Sequence, residues 1–256
     1  MKKLIIYASL CVGCLTEMQA VTPMWMRDVV ISPDGQQIAF TYKGNIYKVS
    51  SNGGEAVRLT AQPSYESNPV WSPDGTKIAF ASDRNGGSDV YIMPSNGGTP
   101  TRLTFNGAKE IPEAFTPDGN NVIFSANIQA PATSAQFPTG RLTQLYSVPA
   151  TGGKAVQTLG SAAEKISFLP DGRSFLYQDI KGFEDSWRKH HTSSVTRDIW
   201  MYDANTNKHT NLTNTGGEDL NPATSADGKT VYMLSERNGG SMNVYSFPIN
   251  APASLT

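Results

Sequence analysis

Cysteine is almost missing from this sequence. Among 256 residues there are 2, Cys11 and Cys14, and both stand in the apolar run "LIIYASLCVGCL" near the N-terminus. Beyond that run a disulfide, a thiol nucleophile and a cysteine-based metal site are excluded. Histidine is scarce as well, with 3 residues: His190, His191 and His209. A zinc pair at His190 and His191 lacks the further ligands such a centre takes. Adjacent histidines also point to opposite faces of an extended chain, which is a poor start for a Ser-His-Asp set. An excess of one charge is lacking too. Lysine and arginine total 21 against 22 aspartates and glutamates, a formal net charge of -1. Nothing there marks a nucleic-acid partner. No run has the length and period of a confident helix, and the one long apolar stretch, at the start, is too short for a transmembrane span.

That start reads as a leader. "MKK" is basic, the apolar run follows, and "TEMQA" leads to cleavage after Ala20, which makes residues 1–20 a secretory signal peptide. Met18 is large for that cleavage site. The alternative is a lipoprotein acylated at Cys14, with Cys11 standing where an aliphatic residue is expected. Either way the chain is expected to be exported, to the periplasm or the cell surface.

What is present is a repeat. "SPDG" at Ser32–Gly35 recurs at Ser72–Gly75, followed by "TPDG" from Thr116, "LPDG" from Leu169 and "SADG" from Ser225. The aspartates Asp34, Asp74, Asp118, Asp171 and Asp227 lie about 48 residues apart on average, the span of a propeller blade. Each unit holds four short runs. One leads into the Asp-Gly corner ("NPVWSPDG"), and one follows it ("KIAFAS"). A third contains an aromatic residue ("DVYIMP"), and a fourth ends in Leu-Thr or nearly so ("PTRLT"). Runs of four to six residues rich in Val, Ile, Phe and Tyr between turn residues are strands. Glycine pairs Gly53-Gly54, Gly97-Gly98 and Gly152-Gly153 sit between the third and fourth runs and supply the positive φ of tight hairpins. The expectation is an all-β propeller of four-stranded antiparallel blades over residues 21–256, with units of about 24–60, 61–104, 105–159, 160–213 and 214–256.

The pattern "SPDG..IAF......DVYIM...GG...RLT" resembles the WD-like repeats of the Tol translocation protein and of tricorn-type peptidases. Two stretches favour the tricorn side: the entry "TPMWMRDVVISPDGQQIAFTYKGNIYKVSSNGGEA" and the unit-four insertion "KGFEDSWRKHHTSSVTRDIWMYD". The resemblance implies a six-bladed N-terminal propeller, followed in such proteins by a second propeller, a PDZ domain and a serine peptidase domain that holds the catalytic residues. Five units are present here. Either one blade of a larger propeller is missing or the ring closes as five. The resemblance therefore implies a non-catalytic region that guides or anchors peptides for a downstream peptidase domain, with no cofactor. The alternatives are a stand-alone Tol-type binding propeller and the propeller of a prolyl-oligopeptidase-type enzyme. Homo-oligomerisation stays open.

Candidate sites divide into repeated and unrepeated residues. The Asp-Gly corners occur in every unit and are expected to be structural, since proline presets φ, aspartate bonds its own backbone and glycine accepts positive φ. "SDRNGGSDVY" and "SERNGGSMNVY" match Arg84 with Arg237 and Asp83 with Glu236, again a structural loop, with a local ion pair. Calcium at Asp83 and Asp89 is disfavoured by Asn243 at the second copy. The insertions "ANIQAPATSAQFPTGRLTQ" and "DIKGFEDSWRKHHTSSVTR" lie between second and third strands, on one face of neighbouring blades. Long loops on a rigid scaffold carry binding. Trp187, Arg188, Lys189, His190 and His191 suit a peptide carboxylate or a neighbouring domain. The resemblance implies arginines that anchor a peptide C-terminus, and Arg141 is the position nearest by location.

Overall fold

The structure, a computed structural model, describes residues 25–128, 142–182, 193–237 and 241–252. Every strand pairing among these residues is antiparallel, and the strands fall into the repeat expected from the sequence. Blade one is β1 (Arg27–Ile31), β2 (Gln37–Tyr42), β3 (Asn45–Ser50) and β4 (Val57–Arg58). Blade two is β5 (Glu66–Trp71), β6 (Lys77–Asn85), β7 (Gly87–Pro94) and β8 (Thr101–Arg102). Blade three is β9 (Glu110–Phe115), β10 (Asn121–Ala126), β11 (Gln144–Pro149) and the first part of β12 (Val156–Phe168). The rest of β12, with β13 (Phe175–Asp179), β14 (Ile199–Asp203) and β15 (Lys208–Asn211), makes blade four. Blade five shows β16 (Asp219–Thr224), β17 (Thr230–Ser235) and β18 (Asn243–Pro248). Its expected fourth strand, ending at Thr256, lies outside the described residues.

The corner is built as its residues dictate. Each corner glycine has φ between 68° and 72°, the left-handed region that glycine enters without a Cβ penalty. Each corner aspartate accepts from the amide two residues on, as Asp34 does from Gln36 at 3.0 Å. In blades one, two, three and five the Ser or Thr that opens the motif also accepts from the first amide of the next strand, for example Ser72 from Lys77 at 2.9 Å. Unit four has Leu169 there, and Asp171 takes a second amide instead, that of Ser174 at 2.8 Å. The Ser72 hydroxyl, then the Thr76 amide, holds the Asp74 carboxyl down at about 2.

Leu-Thr has an equally local cause. The threonine hydroxyl accepts from a third-strand amide, with Thr60 taking Ile46, Thr104 taking Val90 and Thr213 taking Ile199, all at 2.9 Å. The preceding leucine donates its own amide back to the same residue's carbonyl. This pair of bonds stitches the short outer strand to the blade. Unit three lacks the threonine, and there β12 runs without a break from blade three into blade four. Its Leu159 pairs with Leu145 on one side and its Phe168 with Phe175 on the other. The expected boundary at residue 159 is thus a continuous strand.

Strand alternation gives each blade two apolar faces, so the core is a series of seams. Blades one and two share Ala39, Ile46, Ile78, Phe80, Tyr91 and Met93. Blades two and three meet at Ala79, Val90, Phe115, Val122 and Phe124. Ile123, Leu145, Ile166 and Phe175 join blades three and four. Leu176, Ile199, Val231 and Met233 join four and five. The inner strands follow the same order, β1 on β5, β5 on β9, β9 on β12 and β12 on β16. No comparable packing joins β16 to β1.

Two further contacts recur at the seams. A Cβ on Gly75, Gly119, Gly172 or Gly228 would meet the corner proline of the preceding blade, Pro33, Pro73, Pro117 and Pro170 respectively. Inner strands also bulge at a residue with positive φ, namely Asp28, Asn68, Lys165 and Asn221, six positions before the corner aspartate. The turned amide then reaches the blade before: Asn68 donates to Asp28 at 3.1 Å, Lys165 to Glu113 at 3.2 Å and Asn221 to Gln178 at 2.9 Å. Unit three has Pro112 at that position, which has no amide hydrogen to give.

The tightest of these contacts sets a measurable cost. A Cβ on Gly228 would lie 2.5 Å from Cδ of Pro170, whereas one on Gly53 meets nothing within 4 Å. Gly228→Ala is expected to lose about 2–4 kcal/mol in urea unfolding, combining backbone strain with overpacking. Gly53→Ala, with strain alone, loses about 1 kcal/mol.

Candidate functional site

The strand directions place the starts of the inner strands and the second-to-third-strand loops on one face of the blades, opposite the Asp-Gly corners. On this face charged side chains are sunk into the protein. In blade two the first residue of β5, Glu66, is fully buried and pairs with Arg84 at the end of β6. The guanidinium also donates to Ser82 at 3.0 Å and lies 4.6 Å over the ring of Tyr91. Blade five repeats the set. Asp219 pairs with Arg237 at 2.9 Å, Ser235 accepts at 2.7 Å, and the guanidinium lies over Tyr245. The expected local ion pair in these loops is therefore made with an inner-strand acid, 18 residues upstream in both blades. The reason is depth: beneath the sheet edge the acid is desolvated and draws the arginine. Asp83 instead accepts from the Tyr65 amide at 2.7 Å. Asp89 is fully buried on Arg102 at 2.9 Å. Each carboxylate that suggested calcium thus has its own partner.

Unit three breaks this set. Its inner-strand acid, Glu110, is buried, but Ala126 stands at the serine position and Ile128 at the arginine position. Burial first, with the nearby Asp89 carboxylate, raises the Glu110 carboxyl to about 7 against the lowering effect of Thr104 and Arg102. An acid without its own cation holds a proton near neutrality.

Blades three and four carry the bases of the two insertions. Glu113 accepts from Ser125 at 2.6 Å and faces Lys165 at 3.6 Å across the seam, while burial raises its carboxyl. Lys181, near the start of the unit-four insertion, donates to the Thr196 carbonyl at 2.8 Å near its end and pairs with Asp198 and Asp179. Burial also raises the Asp179 carboxyl, which accepts from the Asp198 amide at 2.7 Å and the Trp200 indole at 3.0 Å. At the end of the insertion, Arg197 reaches Glu164 at 3.4 Å and Glu218 at 3.3 Å, bridging blades four and five. A Cβ on Gly182 would come within 3.0 Å of Val195, so the two ends of the insertion leave the sheet side by side.

The expected site residues Arg141, Trp187, Arg188, Lys189, His190 and His191 lie outside the described residues. So do residues 1–20, with Cys11 and Cys14. The third histidine, His209, is placed: its Nδ1 is 2.9 Å from the hydroxyl of the buried Tyr177 in blade four. Among the described residues no three His, Cys, Asp or Glu side chains converge as metal ligands, and no helix is long and apolar enough to cross a membrane. On the opposite face a cleft of about 580 Å³ lies between the corners of blades one and two, lined by Asp34, Lys48, Trp71, Asp74 and Asn96. Lys48 closes its outer side by donating to Asn96 at 2.7 Å. Its two carboxylates are bound by their own turns, so it is a space between corners. The chemistry of the described face is bracing: ion pairs across seams that hold the roots of two long loops.

A family model for the tricorn protease N-terminal beta propeller domain matches residues 22–253. Tricorn protease homolog 1 of Streptomyces coelicolor is 35% identical over 72 residues, which cover 28% of this chain and 7% of that protein. An uncharacterized peptidase, YuxL of Bacillus subtilis, is 39% identical over 67 residues, 24% of this chain and 9% of that protein. Among solved structures, a putative TolB from Agrobacterium tumefaciens superimposes with a TM-score of 0.72 at 19% identity, over 92% of this chain and 80% of that one. The tricorn protease superimposes with 0.73 at 21% identity, over 91% of this chain and 22% of that one. These two likenesses carry the propeller fold. The matched stretches span less than a tenth of each of these two curated relatives.

Glu110 makes the face pH-sensitive in a defined sense. Below about pH 4.5 folded and unfolded chains both hold its proton. Between about 4.5 and 7 only the folded chain does, so its contribution to stability falls as pH rises and levels off above 7. Glu110→Gln is expected to remove that component, leaving the variant more stable than the wild type at pH 8 by about 1–3 kcal/mol and nearer to it at pH 5. Urea unfolding at the two pH values reads this. An unchanged difference between them would contradict the assignment.

Proposed function

Because the chain belongs to the tricorn protease N-terminal beta propeller family, we propose that it is the non-catalytic propeller region of an exported tricorn-like serine peptidase. It guides or anchors peptide substrates for a catalytic domain elsewhere in that protein. One observation carries this reading: two long insertions leave the same face of adjacent blades from roots braced by ion pairs, Glu113 with Lys165 and Lys181 with Asp179 and Asp198. A rigid base under a variable loop is how propellers present binding groups. Arg141 and the Trp187–His191 stretch then meet the peptide, with the guanidinium on its terminal carboxylate. The basic start and apolar run of residues 1–20 support export.

A second reading has support of its own. The putative TolB structure is matched over 80% of its length, so a stand-alone binding propeller also fits the fold.

Steady-state kinetics on the intact protein test the first reading. Arg141→Ala and Trp187→Ala should each raise KM for peptides with a free C-terminus about 5- to 20-fold with kcat nearly unchanged. The 256-residue chain alone should show no peptidase activity. An unchanged KM removes the anchoring role. Absence of peptidase activity from the intact protein favours the stand-alone binder.

A further inference from the structure

The buried acids of the insertion face are paired seam by seam, and one seam is short of a cation. At each seam the first residue of a blade's third strand sits beside the inner-strand residue that stands eight before the next blade's corner aspartate. Backbone bonds fix the juxtaposition: Glu66 donates to the Gly44 carbonyl at 2.9 Å, Ala163 to that of Thr143 at 2.9 Å and Asp219 to that of Arg197 at 3.1 Å. The side-chain pairs are Asn45 with Glu66, Asp89 with Glu110, Gln144 with Ala163 and Asp198 with Asp219. In the first, one member is uncharged and Glu66 has Arg84. In the third, neither is an acid. In the fourth, each acid has its own cation, Lys181 for Asp198 and Arg237 for Asp219. Asp89 and Glu110 are both buried, at 0% and 1% exposure, and among the described residues the two share one cation, Arg102.

Their hydrogen bonding is incomplete in a matching way. Arg102 donates to Oδ1 of Asp89 at 3.0 Å and to the Thr104 carbonyl at 2.8 Å. The Thr104 hydroxyl, which accepts the Val90 amide, bonds Glu110. Oδ2 of Asp89 and Oε2 of Glu110 are buried, and no donor among the described residues hydrogen-bonds to either, although Arg102 lies 2.9 Å from the former. Two carboxylates are both acceptors, so side by side they need a hydrogen between them. Glu110 is in hydrogen-bond contact with Asp89, and a proton on it supplies that hydrogen. The other charged and titratable groups around β9 are engaged elsewhere. Arg84 of β6 is held by Glu66 of β5, and the Tyr91 hydroxyl of β7 takes a bond from Asn85 at 2.7 Å. Glu113 and Glu164 face Lys165 and Arg197. β10 sets Ala126 opposite Glu110, and Lys109, next in the chain, is exposed.

We propose that Asp89 and Glu110 form a proton-operated latch across the seam of blades two and three. Closed, Glu110 carries one proton and donates it to the Asp89 carboxylate, which holds the first residue of β9 in the seam. When that proton passes to base in the solvent, two carboxylates face one guanidinium in a buried space. The cheapest relief is for Glu110 to leave, because it is the first residue of its strand and follows the largely exposed crossover of residues 105–109. The same guanidinium carries Phe105, whose ring centre lies 4.6 Å away and which is 70% exposed. Release of Glu110 thus loosens the aromatic group that the crossover presents on the insertion face. The sense of the response follows from burial, which first among its causes raises the carboxyl from 4.5 to about 7. The closed form is favoured in full below about pH 4.5, loses ground as pH rises to about 7 and loses no more above it. The latch is independent of the peptide-anchoring reading.

Amide hydrogen exchange across residues 103–111 reads the latch. Corrected for the intrinsic rate, protection should fall about 10-fold between about pH 6 and pH 8.5, the ratio imposed by a group moved from 4.5 to about 7. Residues 213–219, at the seam where each acid has its own cation, should change less than about 2-fold over that range. Glu110→Gln, whose carboxamide donates to Asp89 at every pH, should keep protection level. Asp89→Asn removes the like charge and leaves Arg102 to Glu110, so the fall should move down by about one pH unit or more. Ile128→Arg restores the cation that blades two and five carry at this position and should flatten the response with Glu110 intact. The proposal is overturned if protection at residues 103–111 does not fall, if it falls equally in Glu110→Gln, or if every seam falls alike, since the opening is then global. It is also overturned if Asp89→Asn leaves the midpoint in place, since burial alone then accounts for Glu110 and no proton is shared. Should Glu110→Gln fail to fold, Ile128→Arg and the wild-type contrast with residues 213–219 still decide. No peptide enters these measurements, so the latch and the anchoring role can fail separately.

Discussion

The seam between neighbouring blades is the contact on which the rest of this protein depends. A four-stranded sheet with two apolar faces has no stable existence in water. The chain resolves this by repeating one asymmetric joint. Apolar residues alternate onto facing surfaces, a corner proline covers the next blade's corner glycine, and a bulged amide reaches back to the preceding blade. The joint explains why proline and glycine are held two positions apart in the corner. Within one blade the turn needs only a positive φ. Between blades it also needs a ring on one side and the absence of a Cβ on the other.

Much of this was legible from sequence because a repeat is a statement made several times. The Asp-Gly corners, the glycine pairs and the alternating strands all lie where their spacing placed them. Leu-Thr was visible as a pattern, but its cause required the partner strand: Thr104 matters because the Val90 amide would otherwise be unpaired under the outer edge. The unbroken β12 was harder to foresee. Its signal is negative, the lack of a threonine after Leu159, and a strand end is inferred more readily than its omission.

The buried ion pairs leave a trace in the sequence, a constant spacing of acid and arginine. Glu66 to Arg84 and Asp219 to Arg237 have the same separation, yet the eye pairs Arg84 with the adjacent Asp83. Sequence proximity is a poor guide where desolvation decides, since a surface aspartate gains little from a guanidinium and a buried glutamate gains much. Unit three then shows what the set is for. With Ile128 in the arginine position, the buried Glu110 carboxyl is raised to about 7, chiefly by burial. The residues with the strongest functional claim, Arg141 and Trp187 to His191, belong to no repeat, so the template can say where their loops are rooted and nothing of how they fold.

The continuous strand has a mechanical consequence. Blades elsewhere in the chain are joined by short connections between separate strands. Blades three and four share β12, and its backbone hydrogen bonds extend into both sheets. The two insertion-bearing blades are therefore joined through backbone hydrogen bonds as well as through side chains. The roots of the two long loops are thus joined through one strand of 13 residues.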